Sequence, residues 1–219
     1  MAPARDAACV EHLLTFVLAS ILFIQVPGPS LLFTIGRALT VGQRDALLSV
    51  VGNALGLLVQ VAAVAFGLGS LVAASATAFT VLKLVGAAYV VYLGIQAIRH
   101  RHEARSAMES LELRAASSAW GAVRTGLVVG ATNPKTVVFF VALLPQFIDP
   151  EAAAIPQLLL LGALFAVLAV LSDSCWALAA ARARDWFARK PQRLDHLGVA
   201  GGAMMIGLGA TLATTGASH

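Results

Sequence analysis

The sequence predicts an all-α polytopic membrane protein: six transmembrane helices in a 3+3 inverted repeat, with helices one and four broken by proline. Three observations carry that prediction. The 219 residues are 59% hydrophobic and 12% charged, with a mean hydropathy of +0.85; soluble domains run at about 45–50% apolar and about 25% charged. The apolar residues gather into six runs, each long enough to cross a core of roughly 30 Å, which takes about 20 helical residues. Two of the runs are interrupted at corresponding places, by Gln25-Val26-Pro27-Gly28-Pro29-Ser30 and by Thr132-Asn133-Pro134-Lys135.

Span one covers 11–36. It does not read as a signal peptide: Arg5 is offset by Asp6 and Glu11, the apolar stretch is too long, and no small-residue cleavage site precedes Pro27. Each proline removes a backbone N–H, so the carbonyls of Phe23 and Gln25 lose their helical partners, and Gly28 adds freedom to bend or unwind. In hydrocarbon such backbone survives only where protein or a water-filled cavity surrounds it. Span one is therefore expected to line something. Span two, 46–70, carries Asn53 between Gly52 and Gly56, readable as a site residue or as interhelical glue. Span three, 78–98, holds Lys83, sixteen residues before Arg99. At about 1.5 Å per residue its stem reaches the outer interface, an anchoring role. Tyr89 and Tyr92 read as cavity-lining or as aromatic packing. Span four, 120–147, contains the second break, span five, 156–181, contains Asp173, and span six, 197–216, is glycine-rich. Trp120, Trp176 and Trp186 read as interface anchors.

The basic residues fall unevenly between these spans. Arg37 and Arg44 follow span one; Arg99, Arg101, Arg105, Arg114 and Arg124 lie between spans three and four; Arg182, Arg184, Arg189, Lys190 and Arg193 lie between spans five and six. The alternate connections have none. Basic short loops stay cytoplasmic, so both termini are expected outside. The net charge of +4 and pI near 9.6 thus mark orientation, not a nucleic-acid surface. A polar linker, 99–119, separates a first three-helix repeat, 1–98, from a second, 120–219. Gly86-Ala87-Ala88 through Leu93-Gly94 aligns without gaps to Gly201-Gly202-Ala203 through Leu208-Gly209. An odd number of spans per half inverts the second half, and such repeats build midplane sites from discontinuous helices.

Counting from the cytoplasmic arginines locates the polar residues. Gly28 lies nine residues before Arg37, Asn53 nine after Arg44, Lys135 eleven after Arg124 and Asp173 nine before Arg182. All four fall roughly 13–17 Å from those charges. A charge near the bilayer centre costs at least about 2.5–3.5 kcal/mol and marks a pathway. The candidate substrate-binding residues are Gln25, Pro27, Gly28, Pro29, Ser30, Asn53, Asn133, Pro134 and Lys135. Lys135 and Asp173, opposite in sign and similar in depth, form either a structural ion pair or a proton-coupling pair. The half-helix N-termini after Pro29 and Pro134 suit a carboxylate, and the freed carbonyls before them suit an ammonium. Cys9 and Cys175 have neither disulfide-framework nor zinc spacing, and His100 and His102 lack a metal-ligand pattern, so no metal or cofactor is expected.

These motifs resemble the lysine exporter (LysE/RhtB) family of amino-acid exporters. The resemblance covers nearly the whole chain. It rests on Pro27-Gly28-Pro29, Lys83-Leu84-Val85-Gly86-Ala87-Ala88-Tyr89 through Tyr92-Leu93-Gly94, Asn133-Pro134-Lys135, Leu144-Pro145-Gln146-Phe147-Ile148, Asp173 with Trp176, and the glycine-rich last span. It implies a bacterial inner-membrane exporter of an amino acid or close derivative, driven by the proton gradient and not an enzyme. Expected partners are that substrate, protons and the bilayer, with a homodimer admitted and no nucleic acid. The competing classes are a membrane thiol-disulfide electron carrier, which needs cysteines at the breaks, and an ion or metal exporter or channel, which needs rings of like charge or soft ligands.

Overall fold

A computed structural model describes residues 2–74, 76–99, 118–149, 151–183, 186, 189, 190 and 192–214. Side chains are described for 12–67, part of 81–99, 118–149, 151–183 and part of 186–210. Among these residues all regular structure is helical. The chain runs through α1 (Ala2–Gln25), α2 (Pro29–Thr40), α3 (Gln43–Ala74), α4 (Ala76–Arg99), α5 (Ala119–Ala131) and α6 (Pro134–Ala142). A 3-10 turn (Leu144–Phe147), α7 (Ala154–Arg182) and α8 (Gln192–Thr214) complete it. The expected linker 99–119 lies almost wholly outside the described residues, as do His100, His102 and the side chains of Cys9 and Lys83.

Both proline stretches bend the chain. His12–Gln25 meets Pro29–Thr40 at 54°, and Ala119–Ala131 meets Pro134–Phe147 at 48°. Among the described residues two helices, Gln43–Gly67 and Ala154–Arg182, are individually long and apolar enough to cross a membrane, or four if each bent pair is one span. Arg37, expected in a loop, is instead buried within α2 and lies 3.8 Å from Asp45 at the start of α3. The α2–α3 connection turns at Gly42, whose φ of 100° favours glycine.

Glycines set how closely the helices approach. Gly52 and Gly56 on α3 face Gly126 and Gly130 on α5, each pair four residues apart and so on one face. A Cβ on Gly52 would fall 2.0 Å from the Val123 carbonyl oxygen, and one on Gly130 would fall 2.2 Å from that of Asn53. Backbone lies directly on backbone, the close crossing that small-xxx-small patterns permit in membranes. Gly94 on α4 and Gly202 on α8 make the same arrangement: a Cβ on either would come within 2.6 Å of the other's carbonyl oxygen.

Among the described residues two larger apolar clusters lie in the bundle, beside a small one of Val26, Val138 and Met205. Phe16, Phe23, Phe139, Phe140 and Phe165 form one, with ring centroids 4.5 Å apart for Phe23–Phe139 and 4.7 Å for Phe139–Phe165. Leu31, Ile35, Leu39, Ala46, Ala177 and Ala180 form the other, between α2, α3 and α7.

Candidate functional site

The first break is a short stretch of backbone that belongs to neither helix. Ladder bonding in α1 ends at Gln25 and restarts at Pro29, with Gly28 as the N-cap residue. Gly28 has φ −107° and ψ −176°, extended backbone open to any residue. Glycine is needed there for space, not for conformational freedom as the sequence suggested: a Cβ would sit 2.7 Å from Cδ of Lys135. That lysine enters from the second break. Its ammonium donates to the carbonyls of Phe23, at 2.7 Å, and Val26, at 2.5 Å, and lies 4.4 Å from the centre of the Phe23 ring. The Phe23 carbonyl is one the prolines were expected to free. Val26 supplies the second in place of Gln25, because its carbonyl falls in the gap between the helices. Charge-assisted bonds and an aromatic face are what a buried ammonium needs, since stripping it of water costs several kcal/mol.

The second break is held by a different side chain. Asn133 caps α6 with its Oδ1, which accepts from the Lys135 backbone N–H at 3.1 Å. Gln60 of α3 donates to the carbonyls of Ala131, at 3.0 Å, and Asn133, at 3.1 Å, and its Oε1 accepts from the Thr136 hydroxyl at 2.7 Å. The Ala131 carbonyl at the break thus finds a partner inside the protein, as a low-dielectric surrounding requires, while that of Asn133 also accepts from the Val137 N–H at 3.2 Å.

Between the breaks lies a cavity of about 350 Å³, its open mouth included. Of the residues expected at the site, Gly28, Ser30, Asn53, Asn133, Lys135 and Asp173 line it. Phe23, Leu57 and Phe165 form its apolar wall. Asn53 Nδ2 donates to Asp173 Oδ2 at 3.2 Å. Lys135 and Asp173 border the same space but make no direct ion pair, because the ammonium is turned toward the carbonyls. Two buried polar atoms of the lining, Ser30 Oγ and Asn53 Oδ1, have no hydrogen-bond partner. The α2 N-terminus beside Ser30 has no side-chain cap, whereas that of α6 is already occupied by Asn133.

Four expected residues do not line the cavity. Gln25 is exposed and accepts from Trp176 Nε1 at 2.9 Å, which gives that tryptophan a partner at the break. Pro27 is buried against α8, where a Cβ on Gly201 would come within 2.4 Å of its carbonyl oxygen. Pro29 is exposed and Pro134 half-buried; the prolines act by opening the ladder, not by contact. Tyr89 and Tyr92 stack on each other at 5.8 Å, away from the lining. Cys175 is an exposed thiol on α7 and is not part of the cavity lining. Gln60, Thr136 and Phe23 were not anticipated as site residues. Gln60 had a signal: it stands seven residues after Asn53, two turns along the same helix face.

The family model for LysE type translocators matches residues 21–216. The chain belongs to the LysE translocator family. This LysE-type translocator is 38% identical over 202 residues to an uncharacterized membrane protein of Vibrio cholerae, covering 92% of this chain and 96% of that one. It is 33% identical over 204 residues to a homoserine/homoserine lactone efflux protein of Salmonella typhimurium, covering 93% and 97%. No solved structure matches. The motifs that suggested the family lie within the matched region, which places the translocator among membrane efflux proteins.

Gln60 gives the first prediction. Gln60→Leu takes the described side-chain donor from the Ala131 carbonyl and one of three donors from the Asn133 carbonyl, which keeps the Val137 N–H and the Thr136 hydroxyl, and is expected to cost about 1–3 kcal/mol. This would appear as a lower unfolding midpoint of the purified protein in detergent. Gln96→Leu, which removes only the amide that donates to the Tyr92 hydroxyl on the exposed face, is expected to leave the midpoint unchanged. Equal midpoints for wild type and Gln60→Leu would show that the second break does not depend on this side chain.

Proposed function

We propose that this LysE-family protein is a secondary exporter of a small amino acid or close derivative, coupled to the proton gradient across the bacterial inner membrane. The observation that carries the reading is the cavity between the two helix breaks. It gathers the features a zwitterion requires: an uncapped helix N-terminus with the free Ser30 hydroxyl for a carboxylate, and freed carbonyls, Asn53 Oδ1 and Asp173 for an ammonium.

The Salmonella relative is named for homoserine and its lactone. Those two molecules share an amino group, and only one has a free carboxylate. By analogy we read this site as recognising the ammonium first, with the carboxylate contact adding to it. Six spans in a 3+3 inverted repeat, with the arginine-rich connections in the cytoplasm and both termini outside, supply the frame for this reading. It is supported by the two bent helices and by the paired glycine crossings. A reporter fused after His219 is expected to be active outside the cytoplasm, and cytoplasmic activity would overturn this topology.

In the coupling step Asp173 carries the proton and Lys135 is its counter-charge. A carboxylate in this cavity keeps its charge only while a cation or donor faces it; when rearrangement takes that partner away, proton uptake removes the stranded charge. The test uses labelled amino acids loaded into proteoliposomes, with efflux followed with and without a pH gradient. Wild type is expected to move at least one small amino acid faster with the gradient. Asp173→Asn is expected to lose gradient-driven accumulation and to retain substrate exchange, which needs no net proton movement. An Asp173→Asn protein that still concentrates substrate would remove Asp173 from the coupling role.

A further inference from the structure

We infer that Lys135 is a tethered occupant of the substrate's own ammonium site, and that an entering substrate must displace it. The inference rests on the exporter reading and names how that site is controlled. The carbonyls of Phe23 and Val26 with the ring of Phe23 make a cage of two acceptors and an aromatic face. That is the environment a primary ammonium ligand takes in a protein. Nothing in it is particular to a lysine: the cage meets only the –NH₃⁺ group, which a lysine and an amino acid share.

Three features make the lysine suited to be a removable occupant. Its four-carbon stem is flexible. The stem crosses Gly28 through space that exists only because that residue lacks a Cβ, which would sit 2.7 Å from Cδ. The cavity it borders also holds an alternative partner, the Asp173 carboxylate, to which only Asn53 donates a described hydrogen bond. An empty cage would leave the Val26 carbonyl without its described donor, and the Phe23 carbonyl with only the 3.3 Å bond from the Val26 N–H, in a water-poor interior. The lysine therefore satisfies the break when no substrate is bound. When a substrate ammonium takes the cage, the lysine is released into the cavity toward Asp173 and the substrate carboxylate. Loading of the site and rearrangement of its charged pair become one event.

The test is calorimetric titration of ethylammonium, an ammonium without a carboxylate, into the purified full-length protein in detergent. Wild type, Lys135→Met and Gly28→Ala are compared. Lys135→Met removes the occupant. Gly28→Ala keeps the positive charge and pushes the stem aside. If the cage is open in wild type only about a tenth of the time, both variants should bind ethylammonium about tenfold more tightly. Tighter binding in Lys135→Met alone would mean simple relief of charge repulsion and would overturn the inference. Equal affinity in all three proteins, or binding in none, would also overturn it. A second measurement is made on wild type. Lys83, Lys135 and Lys190 are the chain's lysines, so ¹⁵N-lysine labelling marks few ammonium groups, and the resonance absent from Lys135→Met is that of Lys135. Saturating ethylammonium is expected to shift it, and an unmoved resonance would contradict displacement. Failure of the exporter reading would look different: no amino acid would leave wild-type proteoliposomes, whatever the ethylammonium result.

Discussion

The structure depends on backbone carbonyls that have lost their helical partners and must find others away from water. Pro27 and Pro29 open α1 from α2, and Pro134 opens α5 from α6. Each opening strands acceptors that in a bilayer cost several kcal/mol apiece if left bare. The protein satisfies them with side chains from elsewhere in the fold. Gln60 reaches from α3 to the Ala131 and Asn133 carbonyls. Lys135, itself the second residue of the helix that follows one break, reaches across to the Phe23 and Val26 carbonyls of the other. The two breaks are therefore a single unit. A movement that shifts α6 carries the Lys135 ammonium with it and changes what the first break has for a partner.

Glycine packing makes that unit possible. A reach across the bundle requires helix axes closer than ordinary side chains allow, and the backbone contacts of Gly52, Gly56, Gly126 and Gly130 bring α3 against α5 at the level of Asn53. Gly28 does the same for the lysine stem and Gly201 for Pro27. Small residues here serve position, and position delivers the polar groups to one cavity flanked by phenylalanine on one side and aliphatic packing on the other. That cavity is lined from both parts of the chain, by Gly28 and Asn53 before the linker and by Lys135 and Asp173 after it.

Much of this was legible in the sequence, for reasons that can be stated. Proline in an apolar run has few uses, so both breaks could be located. Depth could be counted at a fixed rise per residue, and the count brought Gly28, Asn53, Lys135 and Asp173 to the level where they line one cavity. Depth along an axis says nothing about rotation around it. Gln25 has the right depth and faces outward to Trp176, while Gln60, two turns past Asn53 on the inward face, was overlooked. Opposite charge and similar depth suggested that Lys135 would pair with Asp173. The carbonyls of Phe23 and Val26 compete for the same ammonium, and backbone acceptors leave no mark in a sequence beyond the prolines that free them. The role of Gly28 as space for a neighbour's side chain was hidden for the same reason, since it depends on a residue far along the chain.

The dependence of the first break on Lys135 can be measured directly by a double-mutant cycle on stability. One arm replaces Lys135 by Met; the other replaces Pro27 and Pro29 by Ala, which lets the helix close and pair the Phe23 and Val26 carbonyls internally. Unfolding free energies of the four proteins in mixed micelles give the coupling. If the ammonium satisfies the break, Lys135→Met is clearly destabilising in wild type and much less so once the prolines are gone, a coupling of about 1–3 kcal/mol. Strict additivity, with Lys135→Met costing the same in both backgrounds, would contradict the claim that this lysine and those carbonyls hold the site together.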